Sequence, residues 1–304
     1  MTQKPGCDYL LFDITNLLYR TFYVQTGEDD RTLAGLATHM ALTMLNKYYK
    51  AYKPRKGVVM AFDRSSWRKK YTASEACVSK RPYKGGRRQE MTQSQQAKYS
   101  LFLEHLADFE NLIINHTTIV TLFADLLEAD DLIGGFVQLH PDDEIVLIST
   151  DTDMLQLLGH PGLTIVSPNT GEAVDLKDYD NNADYYLFTK CIRGDSTDNV
   201  QSAYPRVRAT RIKAAYDDPY ELVKLLKETW TNEKGETMVV EDLYEENRLL
   251  IDLRCQPDNI RNRIDDTITT AMGTKKKFSY FHLMKFIGKY ELHKIGDSID
   301  QYLP

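Results

Sequence analysis

The sequence predicts an α/β protein with a central, mostly parallel sheet flanked by helices. Short apolar runs alternate with segments of helical periodicity up to about residue 150, the pattern of parallel strands joined by crossover helices. Acidic residues directly follow several of these runs. The later chain is mainly helical. We therefore divide the chain into an α/β core at 1–182 and a helical C-terminal region at 183–304.

The predicted strands are short apolar runs, and the predicted helices have apolar residues at every third or fourth position. The strands cover residues 9–12, 58–62, 119–123 and 145–149. Residues 163–167 and 172–174 flank an Asn-Thr-Gly turn and are predicted to form a hairpin. The helices cover residues 32–52, 100–112, 129–139, 185–192, 209–216, 219–230, 239–253 and 278–290.

Composition limits the class of protein. A chain of 304 residues that is 42% hydrophobic and 27% charged can bury a large core, as one domain or two. The four cysteines are widely spaced and form no CxxC pair, which argues against a zinc site and favours a reducing compartment. The sequence has no signal-peptide pattern and no run of 18 apolar residues. We therefore expect a cytoplasmic protein that does not cross a membrane.

Carboxylates follow the predicted strands. The carboxyl ends of parallel strands meet in one crevice, so these side chains should converge. Two unit charges about 5 Å apart repel by roughly 3 kcal/mol at an effective dielectric of 20, so the cluster requires bound cations or protonated acids. Oxygen ligands without nearby His or Cys favour Mg²⁺, which Mn²⁺ can replace. The candidate ligands are Asp13, Asp63, Glu128, Asp130, Asp131, Asp151, Asp153, Asp195 and Asp198.

Two alternatives stay open within this set. A single Asp after a strand is often only a helix cap, and Asp130 is as consistent with a cap as with a ligand. In a continuous helix Glu128 and Asp131 would share a face, whereas Glu128 would converge with Asp130 if it preceded the helix. Asp195 and Asp198 are expected to face one site from one helical turn.

A basic segment at 64–98 lies between Asp63 and Glu128. It holds ten Lys or Arg and two acids in a chain of net charge −6, which indicates local contact with a polyanion. We interpret it as a mobile, partly helical excursion whose charges contact phosphates and whose aromatic rings stack on bases. The alternative is a solvated charged loop. The candidate nucleic-acid contacts here are Arg68, Lys69, Lys70, Arg81, Tyr83 and Arg88.

A second basic patch follows Asp198. Its alternative interpretation is an amphipathic surface helix with extended arginines. The candidate phosphate contacts are Arg206, Arg208, Arg211 and Lys213.

These motifs, in this order, resemble those of the structure-specific 5′-nucleases, the flap endonuclease and 5′–3′ exonuclease family. They lie between residue 8 and about residue 215, and the end of the chain, around 252–260, is most similar to the T-even phage ribonuclease H branch. The matching segments are Leu11-Phe-Asp-Ile-Thr-Asn-Leu-Leu-Tyr-Arg20, Ala61-Phe-Asp63, Pro82-Tyr-Lys-Gly-Gly-Arg87, Leu127-Glu-Ala-Asp-Asp131, Ser149-Thr-Asp-Thr-Asp153 and Gly194-Asp-Ser-Thr-Asp-Asn-Val200.

The resemblance implies specific structures and roles. It implies that the basic segment is an arch over the site and that the C-terminal region holds a helix–three-turn–helix motif gripping a duplex. Asp13, Asp63 and the acids at 128–131 would surround one Mg²⁺, Asp151 and Asp153 would lie between two ions, and Asp195 and Asp198 would lie nearer the second. Lys84 and Arg87 would place the scissile phosphate, with Arg68 as a companion.

The resemblance further implies a Mg²⁺-dependent 5′-nuclease. Water would attack phosphodiesters of DNA duplexes, RNA–DNA duplexes and 5′ flaps, which would remove RNA primers or flaps during replication. We expect a monomer, with a single-strand-binding protein or sliding clamp as candidate partners.

One motif departs from the family pattern. Where the family has a Gly-hydrophobic-Gly hairpin, this chain has Pro205-Arg-Val-Arg208. Side chains of Arg206 and Arg208 would replace the amide contacts to a duplex, and a K⁺ site is in doubt. The alternative functions are a haloacid-dehalogenase-like phosphatase, which needs an acid where Thr15 stands, and a non-catalytic protein that binds branched DNA.

Overall fold

In the computed structural model, which describes residues 6–24, 30–85 and 92–301, a five-stranded parallel sheet forms the centre of the fold. The strand order is β3-β2-β1-β4-β5, and every pairing is parallel. The predicted fold class is confirmed. The strands are β1 (Tyr9–Asp13), β2 (Gly57–Ala61), β3 (Val120–Leu122), β4 (Ile145–Ile148) and β5 (Leu163–Val166).

Helices cover both faces of the sheet, which is why its central strands β1, β2 and β4 carry buried apolar residues on both faces. Alternate residues of β1 face opposite sides: Leu10 and Phe12 lie in one buried cluster, Tyr9 and Leu11 in the other. The helices are α1 (Ile14–Val24), α2 (Asp30–Tyr52), α3 (Trp67–Thr72), α4 (Gln93–His116), α5 (Ala129–Leu139), α6 (Ala183–Arg193), α7 (Ala209–Asp217), α8 (Pro219–Leu226), α9 (Val240–Ile251), α10 (Asp258–Gly273), α11 (Tyr280–Lys289) and α12 (His293–Gly296).

Two C-terminal helices pack on the core. The α10 residues Ile260, Ile264 and Ile268 are buried in the same cluster as strand residues, and α11 packs against α4. The division at residue 182 stays a prediction about domains, but the packing makes α10 and α11 part of the core around the sheet. Among the described residues, no helix is long and apolar enough to cross a bilayer.

The local predictions differ in outcome. Residues 163–166 form β5 of the main sheet, and their predicted hairpin partner is present in short form: Val166 and Ala173 make an antiparallel bridge. It is flanked by hydrogen bonds from the Ser167 amide to the Glu172 carbonyl and from the Val174 amide to the Ile165 carbonyl. The helix predicted at 219–230 ends at Leu226, and its last residues begin a small antiparallel pair, β6 (Thr229–Thr231) and β7 (Thr237–Val239). The basic segment is partly helical, as predicted, since it contains α3 and the start of α4, and its residues Trp67, Cys77 and Tyr83 are buried.

Candidate metal centre

Neighbouring strand ends bring the first acids together. Asp13 ends β1, opposite Ala61, so Asp63 follows two residues beyond the paired position on β2. Phe12 pairs with Ile148 on the other side, three residues before Asp151. Burial raises the pKa of Asp13 well above its usual range, and the charges of Asp63 and Asp151 raise it further. The three carboxylates therefore interact at one edge of the sheet.

The start of α5 adds three acids to this edge. Glu128 precedes the helix with extended backbone, and oxygens of Glu128, Asp130 and Asp131 all lie within 4.8 Å of one another. Asp63 ties this helix to β2 by accepting from the Ala129 amide at 2.8 Å. Asp130 accepts from the Asp131 amide at 2.9 Å and also belongs to the cluster, so its cap and cluster roles coexist. Burial, followed by the charges of Asp131 and Glu128, raises the pKa of Asp130.

Arg68 neutralises two of these acids from inside the protein. It is 1% exposed, pairs with Asp131 at 2.8 Å and with Glu128 at 3.1 Å, and donates to the Leu250 carbonyl at 2.7 Å. A guanidinium with these partners does not reach solvent. Arg68 is therefore a buried counter-ion in this structure, and its contact with nucleic acid stays a prediction.

Lys84 joins the basic segment to the acids. Its ammonium lies 2.7 Å from Glu128 and 3.5 Å from Asp198. Although burial opposes ionisation of Glu128, Lys84 and Arg68 lower the pKa of that carboxyl to about 2. A backbone hydrogen bond also joins Lys84 to the later acids, because the Lys84 amide donates to the Asp198 carbonyl at 2.8 Å. Lys84 therefore lies at the acid cluster, in contact with a proposed ligand.

Tyr83 does not present its ring to solvent. The ring is buried against Leu187 and Leu250, and its hydroxyl donates to Asp198 at 2.6 Å. Tyr83 therefore belongs to the protein interior in this structure, and its contact with nucleic acid stays a prediction.

Lys190 is the residue that the sequence interpretation missed. It lies on α6, contacts Asp153 and lies 3.0 Å from Asp195. Burial, opposed by Lys190 and aided by Asp151, raises the pKa of Asp153 to about 6. The only signal in the sequence is its position one helical turn before the Gly194-Asp195 loop.

Asp195 and Asp198 do not face one site from a helical turn. They lie in a loop closed by a bridge between Asp195 and Val200. Asp195 points to Lys190 and Asp198 to Lys84, so each acid has its own lysine. Although burial opposes it, a hydrogen bond from Thr197 and the charge of Lys190 lower the pKa of Asp195.

The remaining described basic candidates are either exposed or paired with acids outside the proposed ligand set. Arg206 and Arg208 are exposed at the start of α7, whereas Arg211 pairs with Glu228 and Lys213 pairs with Asp180 and Asp217. Lys69, Lys70 and Arg81 are exposed. Arg87 and Arg88 lie outside the described residues.

The donor set suits a hard divalent cation. Among the described residues, the one grouping of three side chains that could hold an ion is built from carboxylates alone, without His or Cys. Burial, and after it the charges of neighbouring carboxylates, raises the pKa values of Asp13 and Asp130, and a bound cation would favour their ionised forms. The acidic cluster can therefore bind metal.

A parallel sheet with a carboxylate cluster at its carboxyl edge defines an α/β protein with an acidic cation site. The chain belongs to the 5′-3′ exonuclease family: residues 8–184 match the family model described as the N-terminal resolvase-like domain of the 5′-3′ exonucleases.

Two kinds of known protein are similar to this chain. Ribonuclease H of Enterobacteria phage T4 is 27% identical over 202 residues, which is 60% of each chain, so the match spans less than two thirds of that relative. A bacteriophage T5 protein co-crystallised with metal ions superposes with a TM-score of 0.64 at 20% identity, covering 88% of this chain and all of that one. The T5 flap endonuclease in a complex with DNA and metal ions gives the same score and identity, over 89% of this chain and all of that one. At this identity the structural likeness shows the fold alone.

Proposed function

We propose that this protein is a Mg²⁺-dependent 5′-nuclease that hydrolyses phosphodiesters in DNA duplexes, RNA–DNA duplexes and 5′ flaps. The observation that carries the proposal is the Lys84 ammonium at the edge of a buried carboxylate cluster. Carboxylates can hold the cations, and the lysine can meet a phosphate beside them. The names of the relatives agree with this substrate class, since one is a ribonuclease H and another a flap endonuclease bound to DNA.

The acids divide into two groups that would hold two ions. Asp13, Asp63, Glu128 and Asp130 would hold the first, with Asp131 kept by Arg68 as a support for Glu128. When bound, divalent cations at such a site supply Lewis acidity toward a phosphate oxygen and a lowered pKa for water. Asp151 and Asp153 would lie between the two ions, since the charge of Asp151 also acts on Asp13. Asp195 and Asp198 would lie nearer the second ion.

Lys84 would orient the scissile phosphate. Its ammonium is held by Glu128 and Asp198, so a phosphate oxygen entering the site would replace a carboxylate as its partner. A charge-assisted hydrogen bond of this kind stabilises the negative charge that develops on phosphate oxygens during hydrolysis. Arg87 is proposed to assist from the segment that follows.

The duplex would lie across the exposed basic residues of two segments. Lys69, Lys70 and Arg81 are exposed in the basic segment, and Arg206 and Arg208 are exposed on the loop before α7. We propose that α6, this loop and α7 act together as the duplex-gripping motif of residues 183–217, with arginine side chains in place of glycine amides. Primer or flap removal, and contact with a single-strand-binding protein or clamp, are the biological roles that fit such a substrate.

The test is cleavage of matched 5′-flap, nicked and RNA–DNA substrates, with the product ends mapped. We expect Mg²⁺-dependent cleavage that leaves 5′-phosphates. Asp151→Asn should abolish cleavage and leave DNA binding largely intact, whereas the exposed Asp142→Asn serves as the matched control and should cleave at the parent rate. Lys84→Ala should slow cleavage by roughly 100-fold.

Three results would contradict the proposal. Hydrolysis of a small phosphomonoester without flap cleavage would favour a phosphatase. DNA binding without any Mg²⁺-dependent cleavage would favour a non-catalytic binder of branched DNA. Parent-rate cleavage by Asp151→Asn would show that the metal assignment is wrong.

A further inference from the structure

Glu246 is a buried acid outside the metal cluster, and the proposed chemistry does not use it. It lies on α9 and is 3% exposed. Its Oε2 accepts from the backbone amides of Val78 at 2.7 Å and Ser79 at 2.8 Å. Its Oε1 accepts from the Ser79 hydroxyl at 2.9 Å and from the Cys77 thiol at 3.3 Å. These donors compensate the burial of a carboxylate, so residues 77–79 are fixed to α9.

Residues 77–79 belong to the same short stretch of chain as Lys84. Lys84 follows Ser79 by five residues and reaches Glu128 and Asp198. Between them, the Tyr83 amide donates to the Thr72 hydroxyl at 3.0 Å. The chain is therefore attached to the body of the protein on both sides of residues 80–82.

The backbone of this stretch requires such attachment. Lys80 and Lys84 each have φ of +52°, a left-handed conformation that non-glycine residues rarely adopt. A residue keeps this conformation only when surrounding contacts hold it there. The Glu246 carboxylate supplies several of those contacts at the start of the stretch.

We propose that Glu246 is a positioning residue that sets Lys84 at the metal cluster by fixing residues 77–79 to α9. Its catalytic consequence rests on the proposed function, since Lys84 is the residue assigned to the phosphate. The attachment of residues 77–79 depends on the hydrogen-bonding geometry of the Glu246 side chain and not on its charge. A glutamine can keep its oxygen on the two amides and turn its NH₂ toward the Ser79 hydroxyl, which can also accept.

The first experiment is single-turnover cleavage of a 5′-flap DNA duplex with Mg²⁺. Glu246→Leu should lower the rate roughly 10- to 100-fold, because a small displacement of a positioning group has effects of this size. Its affinity for the flap should stay within about twofold, since Arg81 is the one proposed exposed contact in the released stretch that the structure describes, and the others keep their positions. Glu246→Gln should stay within about threefold of the parent. The neighbouring, exposed Glu245→Leu is the matched control and should not alter the rate.

A double-mutant cycle separates positioning from a general loss of stability. If Glu246 acts through Lys84, Glu246→Leu should have little further effect on the rate in a Lys84→Ala background. A parent rate in Glu246→Leu, or the same fold-loss in both backgrounds, would overturn the proposal.

The second experiment does not depend on nuclease activity. Trypsin can cleave after the exposed Lys80, and release of residues 77–79 should raise this cleavage rate at least about tenfold in Glu246→Leu but not in Glu246→Gln. Equal trypsin rates in all three proteins would overturn the proposal. Absence of flap cleavage by the parent would instead overturn the proposed function, and the trypsin rates would still decide whether Glu246 fixes the segment.

Discussion

The Lys190 ammonium lies 3.0 Å from the Asp195 carboxylate and also contacts Asp153. Lys190 belongs to α6, Asp195 to the loop after it, and Asp153 to the 3₁₀ helix Thr152–Gly159 that follows β4. One cation therefore joins the end of the sheet to the helical region. It also neutralises two acids whose mutual repulsion contributes to the raised pKa of Asp153.

Replacement of Lys190 by methionine should make the fold depend on divalent cations. The change leaves Asp153 and Asp195 without their counter-ion, and breaking a buried pair costs about 3–5 kcal/mol. With EDTA we expect the free energy of unfolding to fall by about 3 kcal/mol, the low end of this range, because the lysine is partly exposed. With Mg²⁺ we expect a smaller loss, because a bound cation replaces the missing charge. Urea unfolding in both buffers measures the difference.

Lys224→Met is the matched control for this prediction. Lys224 makes only a long, exposed contact with Glu221 on α8, so its loss should be small and the same in both buffers. An equal loss with EDTA and Mg²⁺ in Lys190→Met would show that no cation binds beside Asp153 and Asp195.

The raised pKa of Asp153 predicts that the metal-free protein loses stability as the pH rises. The pKa is about 6 in the folded protein against 3.8 for an ordinary aspartate, so the folded state binds more protons between these values. The stabilising contribution is complete below about pH 4 and is lost as the pH rises through about 6, by about 3 kcal/mol at most. The free energy of unfolding with EDTA, measured from pH 4 to 7, tests this.

Asp153→Asn isolates that contribution. The asparagine does not titrate, so the pH slope between about 4 and 6 should be shallower in the variant than in the parent. The parent slope should also become shallower with Mg²⁺, because a bound cation favours the ionised carboxylate. Parallel pH profiles for parent and variant would contradict the prediction.

The sequence contains the information for the sheet and for the acids that end its strands. Asp13, Asp63 and Asp151 follow apolar runs long enough only for strands, so their convergence follows from the parallel topology. The small pair β6 and β7 was not predictable, because three-residue strands leave no periodic signal and Trp230 continued an apolar helical pattern.

The counter-ions of the site could not be read from the sequence. Lys190 meets an acid 37 positions away, and Arg68 meets Asp131 across 63 positions. A sequence pattern predicts that a charged side chain is exposed, because charged residues are seldom buried. Only the folded structure shows that the acids paired with Lys190 and Arg68 lie within the protein. The same reason explains Tyr83, whose ring lies inside the protein while basic residues near it in sequence are exposed.

Arg206 and Arg208 should contribute to duplex affinity through phosphates alone. Both are exposed and lie on the loop that leads into α7. Each Arg→Gln change should weaken duplex binding similarly for all sequences and reduce the slope of log affinity against log salt by about 1. Fluorescence anisotropy over a salt series measures both quantities. Arg248→Gln is the control, since this arginine pairs with Glu245 on α9, and an equal change of slope in it would contradict the assignment.

Removal of Arg68 should destabilise the protein more than any surface charge does. Arg68→Met leaves Glu128 and Asp131 buried without the guanidinium that pairs with both, which should lower the free energy of unfolding by about 3–5 kcal/mol. The exposed neighbour Lys69→Met should change it by less than about 0.5 kcal/mol. Chemical denaturation at neutral pH measures both.

A second substitution tests whether the loss comes from uncompensated charge. Asp131→Asn in the Arg68→Met background removes one of the two buried charges but keeps an acceptor for the Glu128 amide. The double variant should therefore be more stable than Arg68→Met alone, although Asp131→Asn should destabilise the parent by breaking its pair. If the two losses simply add, the packing of the Arg68 side chain, and not its charge, is what the cluster requires.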